Sequence, residues 1–384
     1  MVAPKLRFKE FDGDWSRYKI AEVTEYLVDG THFSPKTTEG EFKYITSKNI
    51  RNDGLDLTNI SYISKDEHEK IYKRCKVQLG DILLTKDGAN TGNCCLNTLD
   101  EEFSLLSSVA VLRGKKDSFN NNFILQILQS DLGQDTIISS MSGQAITRIT
   151  LAKLKDYSFF FPELTEQTQI TSFLSAVDEK ISQLTQKHAL LSQYKQGMMQ
   201  KLFSQQLRFK ADDGSEFGEW KSVFLGDISK PQQWKTISSS ELTEIGYPVF
   251  GANGYIGFYP KYNHINETIA VTCRGATCGE VTLVKAKSYI TGNAMSIDEI
   301  NENEHSTLYI YYALCFRGFK DVISGSAQPQ IVGNAIRKVT FQIPCLEEQT
   351  KIANFLSTID QKIEVVAQQI EQAKMWKKGL LQQM

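Results

Sequence analysis

Two stretches decide the fold of this chain: residues 162–200, PELTEQTQITSFLSAVDEKISQLTQKHALLSQYKQGMMQ, and residues 344–382, PCLEEQTKIANFLSTIDQKIEVVAQQIEQAKMWKKGLLQ. They align without a gap at a shift of 182 residues, and 12 of the first 20 aligned positions are identical. A repeat of this kind determines how the rest of the chain divides into domains.

Both copies have the periodicity of a long amphipathic helix. Apolar residues recur at alternating steps of three and four, which is the a/d spacing of a coiled coil, over about three heptads. A helix of about 35 residues is roughly 50 Å long. We expect the two helices to pair as an antiparallel coiled coil. The residues predicted at this helix–helix spacer are Ile170, Phe173, Leu174, Val177, Ile181, Leu184, Leu191, Ile352, Phe355, Leu356, Ile359, Ile363, Val366 and Ile370.

The alternative for the same pattern is that each helix packs on its own globular domain. Mutual pairing is favoured because the helices are long and each lacks apolar residues on its far face.

The repeat extends beyond the helices. Residues 6–9, LRFK, recur as residues 207–210, and a tryptophan follows each copy at Trp15 and Trp220. Residues 85–92, TKDGANTG, match residues 272–279, TCRGATCG. We therefore expect two globular domains, residues 1–161 and 204–343, each followed by a helical segment, residues 162–203 and 344–384.

Each globular half is predicted to be rich in strands. Short β-branched or aromatic runs separated by Gly, Asn and Asp indicate strands, and longer stretches with one apolar face indicate helices. The predicted strands are residues 42–46, 60–63, 81–85, 108–112, 247–250, 268–272 and 280–284, and the predicted helices are residues 119–138 and 305–323. Strands and helices do not alternate regularly, so the fold class is α+β in tandem duplication.

Composition indicates a protein of the cytoplasm. The chain has 384 residues, a formal net charge of −2 and seven cysteines. The odd number of cysteines favours free thiols in a reducing compartment. No signal-peptide pattern and no run of 18 apolar residues occurs.

No catalytic motif was found in the sequence. It has no phosphate-binding loop, no dinucleotide-binding glycine motif and no nucleophile elbow. It also lacks the Asn/Asp-Pro-Pro-aromatic segment of adenine methyltransferases. Cysteine and histidine spacings do not match the common zinc sites, so we predict no metal, and no catalytic residue in this chain.

Polar and basic residues in the loops of both halves are candidates for contact with DNA. Lys and Arg can hold phosphates, and Asn, Gln and Arg can form paired hydrogen bonds with base edges. The candidates are Thr31, His32, Lys36, Thr46, Lys48, Asn49, Arg51, Lys86, Asn90, Asn253, Tyr255, Lys261, Arg274, Asn293, Gln328 and Gln330. For each of them taken singly, a turn or a solvated surface position is the simpler interpretation.

The chain resembles the specificity (S) subunit of type I restriction-modification enzymes along nearly its whole length. The resemblance rests on the two helix starts, PxLxEQTxIxxFLS, together with residues 29–32, DGTH, and residues 45–50, ITSKNI. Residues 80–89, 250–257 and 274–279 also fit that family.

The resemblance implies two target-recognition domains held apart by two antiparallel helices. Each domain would read half of a bipartite double-stranded DNA site, and the helices would fix the spacing and dock two methyltransferase subunits. Restriction subunits would complete the nuclease. S-adenosylmethionine, ATP and Mg²⁺ would belong to those partners, and this chain would bind no cofactor itself.

A protein of another class shares several of these features. A coiled-coil scaffold whose globular halves bind proteins or glycans would have the same helices and also no catalytic motif. A self-contained restriction-methylation enzyme is disfavoured by the missing motifs and the short chain.

Overall fold

A computed structural model describes residues 4–36, 39–141, 147–325 and 328–383. The chain divides into two compact units, and each contains a segment of both long helices. Unit 1 comprises Met1–Leu184 and Gln369–Met384, and unit 2 comprises Thr185–Gln368.

The strands of unit 1 form a central antiparallel sheet and smaller sheets beside it. The strands are β1 (Ser16–Lys19), β2 (Thr24–Asp29), β3 (Phe42–Ile45), β4 (Ile50–Arg51), β5 (Gly54–Leu55), β6 (Ser61–Ile63), β7 (Ile82–Thr85), β8 (Cys94–Leu96), β9 (Ser104–Leu105), β10 (Val109–Gly114) and β11 (Ser158–Phe161). The central sheet has the order β2-β10-β7-β8, and a second sheet has the order β6-β3-β9 with β3 and β9 parallel. Strand β1 pairs with β11, and β4 with β5.

Unit 2 repeats this plan. Its strands are β12 (Lys221–Phe224), β13 (Lys230–Gln232), β14 (Tyr247–Gly251), β15 (Gly254–Tyr259), β16 (Thr268–Thr272), β17 (Val281–Val284), β18 (Tyr289–Ile290), β19 (Ala294–Asp298) and β20 (Thr340–Ile343). The orders β13-β19-β16-β17 and β15-β14-β18 match those of unit 1 strand for strand, and β14 and β18 are again parallel. Strand β12 pairs with β20. Among the described strands, the β4–β5 hairpin of unit 1 has no counterpart in unit 2.

Short helices surround the sheets, and two long helices continue from one unit into the other. They are α1 (Ile20–Val23), α2 (Lys65–Tyr72), α3 (Asn121–Gln129), α4 (Asp131–Ser140), α5 (Leu151–Asp156), α6 (Leu164–Phe203), α7 (Leu225–Ile228), α8 (Thr307–Arg317), α9 (Gly333–Arg337) and α10 (Leu346–Gln383). No helix within the described residues is long and apolar enough to span a membrane.

The helix predicted over residues 119–138 is two helices, which is a correction to the sequence prediction. Ser130 ends α3 and caps α4, because its Oγ accepts a hydrogen bond of 3.1 Å from Gly133 N. A Cβ atom at Gly133 would overlap the carbonyl oxygen of Ile127, so the tight packing at this break requires glycine. The helix predicted over residues 305–323 ends earlier, at Arg317, where Gly318 takes a positive φ of 66°.

The central sheet of unit 1 is buried on both faces. Side chains alternate along a strand, so Ile82 and Leu84 face one core while Leu83 faces the other. The first core includes Phe123 of α3 and Leu174 of α6, and the second lies under β3 and β9. The central sheet of unit 2 divides its residues between two cores in the same way.

The start of α6 is anchored by a buried glutamate. The fully buried Glu166 carboxylate accepts two hydrogen bonds of 2.7 Å from Nε and Nη2 of Arg7. Trp15 Nε1 donates to the same carboxylate at 3.4 Å. The repeated arginine, tryptophan and glutamate of the sequence therefore meet at one point.

The start of α10 is anchored in the same manner. Glu348 is fully buried, and it accepts hydrogen bonds of 3.1 and 2.7 Å from Arg208 and one of 3.1 Å from Trp220 Nε1. Pairing and hydrogen bonding compensate the cost of burying such a charge.

The glutamine that follows each buried glutamate holds a neighbouring helix. Gln167 Oε1 accepts a 2.9 Å hydrogen bond from Asn120 N at the start of α3, and Gln349 Oε1 accepts one of 2.9 Å from Ser306 N at the start of α8. These side chains satisfy amides that a helix start leaves without a partner.

In unit 1, the beginning of α6 contacts the end of α10. The rings of Phe173 and Trp376 are 5.8 Å apart, edge to face, and Lys377 Nζ lies 2.7 Å from Asp178 Oδ1. Phe173 and Leu184 of α6 also line one groove together with Gln369 and Trp376 of α10.

In unit 2, the end of α6 contacts the beginning of α10. Lys195 Nζ lies 2.6 Å from Asp360 Oδ1, and the hydroxyl of Tyr312 donates to Asp360 at 2.6 Å. Leu202 and Ile352 share one core.

The long helices use their apolar seam in two ways. The predicted seam residues are all buried or half-buried. The earliest ones, such as Ile170 in unit 1 and Ile352 in unit 2, pack into the core of the adjoining globular part, and later ones meet the other helix. Both interpretations of the seam therefore describe part of it.

Candidate nucleic-acid interface

Three loop segments of unit 1, residues 29–36, 46–51 and 86–90, come together and are called site 1. Asn90 Nδ2 donates a 3.4 Å hydrogen bond to Ser47 O, which joins two of the segments. Lys86 Nζ lies 3.3 Å from Asp29 Oδ2, which joins the third. The candidates that the sequence placed in these loops are thus neighbours in space.

Several site 1 candidates are buried and shape the loops. Asn49 Oδ1 accepts a 3.0 Å hydrogen bond from Thr46 N, and Asn49 Nδ2 donates one of 3.0 Å to Asp56 O. Thr31 is also buried, and its Oγ1 accepts from Phe33 N at 3.2 Å. These contacts fix a tight turn that leaves Lys48 exposed.

A series of ion pairs runs across site 1. Lys86, only 3% exposed, lies 3.3 Å from carboxylates of both Asp29 and Asp87. Asp87 Oδ1 in turn lies 3.1 Å from Nε of Arg148, whose side chain is 56% exposed. Asp29 also lies 3.6 Å from the half-exposed His32. Lys86 therefore neutralises the carboxylates of Asp29 and Asp87, and the outermost residues of this series, Arg148 and His32, face solvent.

Two further candidates of unit 1 are on the surface. Arg51 lies 3.5 Å from Asp56 and is 41% exposed. Lys36 is exposed, and its backbone amide donates to Glu67 Oε1 at 2.6 Å.

Arg148 and Arg74 lie beside site 1, although no pattern in the sequence predicted either residue there. Arg74 Nη2 lies 3.5 Å from Asp29 Oδ1. Each is a single arginine far from the other segments along the chain, so only the fold reveals its position.

Site 2 of unit 2 consists of residues 251–255, 272–277 and 328–330. The turn at Asn253 is held by Ala252 O, which accepts hydrogen bonds from Thr272 Oγ1 at 3.3 Å and Thr277 Oγ1 at 2.7 Å. Arg274 pairs with Gln330 in an antiparallel bridge.

The remaining candidates of unit 2 differ in their relation to site 2. Asn293 borders it, because Asn293 O accepts from the backbone amide next to Arg274 at 3.3 Å. Gln328 is exposed within it. Tyr255 is 45% exposed, and its hydroxyl accepts from the amide of Lys285 at 3.0 Å. Lys261 is exposed.

Sites 1 and 2 are built on one backbone framework. Gly88 N donates to Thr147 O at 3.0 Å, and Gly275 N donates to Pro329 O at 3.2 Å. Similarly, the amides of residues 149 and 331 donate to the carbonyls of residues 86 and 273 at 2.8 and 3.0 Å. Position 87 of unit 1 therefore corresponds to position 274 of unit 2, and position 148 corresponds to position 330.

A partly buried polar cluster lies on the central sheet of unit 2. His264 Nε2 lies 3.0 Å from Asp298 Oδ1, while Gln232 and Trp234 donate to Oδ2 at 2.5 and 3.1 Å. Burial tends to raise the pKa of Asp298, but the hydrogen bonds from these partners and Ser296 outweigh it and leave that pKa below its ordinary value.

The cysteines are free thiols, as the sequence predicted. They are Cys75, Cys94, Cys95, Cys273, Cys278, Cys315 and Cys345. Burial raises the pKa of Cys75 to about 12 and that of Cys95 to about 11, so these thiols are protonated at neutral pH. Over the described ranges, no group of three or more His, Cys, Asp or Glu is placed to hold a metal ion.

The two units share one backbone framework and differ in the exposed side chains of sites 1 and 2, which is the arrangement of a protein with two related domains. The family described as type I restriction modification DNA specificity domain matches residues 12–193 and 218–375, one stretch for each globular part with its helix. The chain belongs to this family, and the resemblance seen in the sequence is confirmed. It is a specificity subunit, which is the non-catalytic component of such systems.

Curated relatives are named specificity subunits, and a solved structure shares the fold. The type I restriction enzyme MjaVIII specificity subunit of Methanocaldococcus jannaschii is 24% identical over 416 residues, covering 97% of this chain and 94% of that protein. The EcoprrI specificity subunit of Escherichia coli is 26% identical over 200 residues, covering 50% and 48%. The S subunit structure from M. genitalium superposes with a TM-score of 0.68 at 18% identity, covering 100% of this chain and 98% of that one.

Proposed function

We propose that each unit reads one half of a bipartite DNA site, and that the two half-sites differ in sequence. The observation that carries this proposal is the shared backbone framework of sites 1 and 2, on which Asp87 and Arg148 are replaced by Arg274 and Gln330. A common framework positions both sites on the duplex in the same way, and different side chains read different bases.

Within each site we propose a division between contact and support. The exposed candidates, such as Lys48 and Arg274, contact DNA. The buried ones, such as Thr31, Asn49 and Lys86, hold the loops in shape. Arg148 joins the contact group because its guanidinium faces solvent.

We further propose that the paired long helices fix the distance between the half-sites and dock two methyltransferase subunits, with restriction subunits completing the nuclease. S-adenosylmethionine, ATP and Mg²⁺ then bind to those partners in the cytoplasm. The absence of a catalytic motif from the sequence supports this assignment of the chemistry to the partners.

The experiment is a modified-base map of DNA from host cells with the gene for this chain intact and deleted. We expect N6-methyladenine to disappear from one split, asymmetric motif on deletion. Identical maps, in cells shown to express the partner methyltransferase, would contradict the proposal.

A second measurement separates DNA recognition from a protein-binding or glycan-binding scaffold. The purified complex of this chain with its methyltransferase subunits should bind duplexes of the mapped motif, and the affinity should fall steeply as salt rises, because phosphate contacts release counterions. Partner binding that needs no nucleic acid and survives high salt, without any affinity for the motif, would favour the scaffold.

A further inference from the structure

One antiparallel bridge in each unit presents an arginine beside a second polar side chain. Asp87 pairs with Arg148 in unit 1, and Arg274 pairs with Gln330 in unit 2. Residues opposite each other in such a bridge project to the same face, about 5 Å apart. Arg148, Arg274 and Gln330 are exposed, so this face is open to solvent in both units.

The two bridges occupy the same place in the framework. In both units a glycine amide next to the bridge donates across it, from Gly88 to Thr147 O and from Gly275 to Pro329 O. The arginine nevertheless stands on opposite strands of the bridge, at position 148 in unit 1 and position 274 in unit 2. The shared position therefore has the same backbone hydrogen bonds in both units but different side chains.

The surroundings of the two arginines differ in charge. Asp87 orients Arg148 through a 3.1 Å contact. On its other side Asp87 contacts the buried Lys86, which in turn contacts the buried Asp29. Arg274 has no carboxylate within ion-pair distance among the residues that the structure describes. In place of the buried ion pair behind the bridge, unit 2 has the neutral pair Gln233 and Cys273, with Nε2 2.9 Å from Sγ.

We propose that this bridge is a base-reading position in each unit, with Arg148 in unit 1 and Arg274 in unit 2 as guanine-reading side chains. A guanidinium donates two hydrogen bonds to guanine O6 and N7, and a glutamine can do the equivalent with adenine. Asp87 is a positioning residue, since its carboxylate fixes the direction of Arg148. Gln330 lies beside Arg274, where it can contact the neighbouring base pair.

The difference in side chains between the two bridges favours base reading over phosphate contact. Phosphates are the same in every sequence, so a phosphate contact has no reason to change sides of the bridge or to be paired with a carboxylate in one unit only. A side chain that reads bases must differ between two half-sites that differ.

This inference rests on the proposed function, and the experiment separates the two. The wild-type methylation map first gives the motif. The complex of this chain with its methyltransferase subunits is then tested for binding to duplexes of that motif and to all its single-base variants, with Arg274→Ala and Arg148→Ala. Arg337→Ala and Arg17→Ala serve as controls, because both arginines are exposed and lie outside sites 1 and 2.

We expect Arg274→Ala to lower discrimination at one guanine-containing base pair about 10- to 100-fold, with the other half-site read as before. Arg148→Ala should do the same in the other half-site only. The unaffected half-site reports in each case that the protein is folded. The controls should leave discrimination unchanged at every position.

A graft gives a second test. Asp87→Arg combined with Arg148→Gln places the unit 2 pair on the unit 1 bridge. In the methylation map the unit 1 half-site should change at one or two base pairs, and the unit 2 half-site should stay the same.

Three outcomes overturn the inference. A wild-type map without a split motif removes the proposed function and the inference with it. A wild-type motif with unchanged base preference in Arg274→Ala and Arg148→Ala removes the inference alone. A uniform loss of affinity for every variant duplex also removes it, because that pattern identifies a phosphate contact.

Discussion

Lys377 Nζ of α10 lies 2.7 Å from Asp178 Oδ1 of α6, and the repeat reproduces this ion pair with the helices exchanged. Shifting Asp178 by 182 residues gives Asp360, and shifting Lys195 by the same amount gives Lys377. Lys195 and Asp360 are themselves paired, at 2.6 Å. Each unit therefore uses the same two repeat positions, with the lysine from one long helix and the aspartate from the other.

The two aspartates should nevertheless differ in their effect on stability. Asp178→Ala removes one partly exposed ion pair, for which we expect a loss of about 0.5 kcal/mol in the free energy of unfolding. Asp360→Ala also removes the acceptor of the buried Tyr312 hydroxyl, so its loss should be larger by about 1–2 kcal/mol. Urea unfolding of both variants measures the two losses in unfolding free energy, and each variant is the control for the other. Equal losses would contradict the assigned role of Tyr312.

Glu348→Ala should destabilise unit 2 much more than a change at the next residue. The substitution leaves the Arg208 guanidinium and the Trp220 indole without their buried acceptor, and we expect a loss of about 3 kcal/mol. Glu347 is exposed on the first turn of the same helix, and Glu347→Ala should cost less than about 0.5 kcal/mol. Similar urea midpoints for the two variants would show that the cluster does not hold the helix.

The sequence predicted the elements whose signal is local or repeated. The a/d pattern from Ile170 to Ile370 identified both long helices, and the shift of 182 residues predicted the duplication that the two family matches confirm. The role of Glu166 was not predictable, because its acidic character at a helix start already fits the helix dipole. Its actual partner, Arg7, is 159 residues away, and only the tertiary fold brings them together.

The candidate sites could be predicted only as sets of loops. The polar character of the loops indicated the segments, but Lys86 and Lys48 look alike in a sequence. The structure buries the first between two carboxylates and exposes the second. The break at Ser130 was also missed, since the apolar pattern continues across it while the backbone turns.

Lengthening both long helices should change the gap in the DNA motif without changing either half-site. Seven residues inserted after Gln186 and after Gln368 preserve the Lys377–Asp178 and Lys195–Asp360 pairs, since each pair lies on one side of the insertions. About 10 Å of added helix corresponds to about 3 base pairs of duplex.

The methylation map of cells that carry the lengthened protein is the measurement for this prediction. An insertion in α6 alone puts the helix pair out of register, and it should abolish methylation. An unchanged gap with insertions in both helices would show that the helices do not set the spacing.

Lys48→Ala should weaken DNA binding and reduce its dependence on salt. If Lys48 contacts a phosphate, the slope of log affinity against log salt concentration should become shallower by about one. Lys19, which is 55% exposed and lies on β1 outside site 1, provides the control Lys19→Ala. Binding isotherms of the complex on the mapped duplex at several salt concentrations test this, and an unaltered slope would place Lys48 away from the phosphates.

The contribution of Asp298 to stability should depend on pH. Its folded pKa is below the ordinary value of 3.8, so its ionised form stabilises the fold above that value, and the contribution is lost as the pH falls through the folded pKa. The difference in unfolding free energy between the wild type and Asp298→Asn should therefore be constant near neutral pH and shrink below about pH 4. Urea unfolding from pH 7 to pH 3 tests this, and a constant difference throughout would refute it.

In each unit, the strand that enters the globular part pairs with the strand that leaves it. Ser16 lies opposite Phe161, and Lys221 lies opposite Ile343. Everything between the paired strands is thus a cassette that begins and ends at one place. Genetic recombination near these strands can exchange a whole cassette while the anchors of the long helices stay intact. A lineage can in this way acquire a new half-site in one event, whereas point mutation would have to rebuild the loops residue by residue.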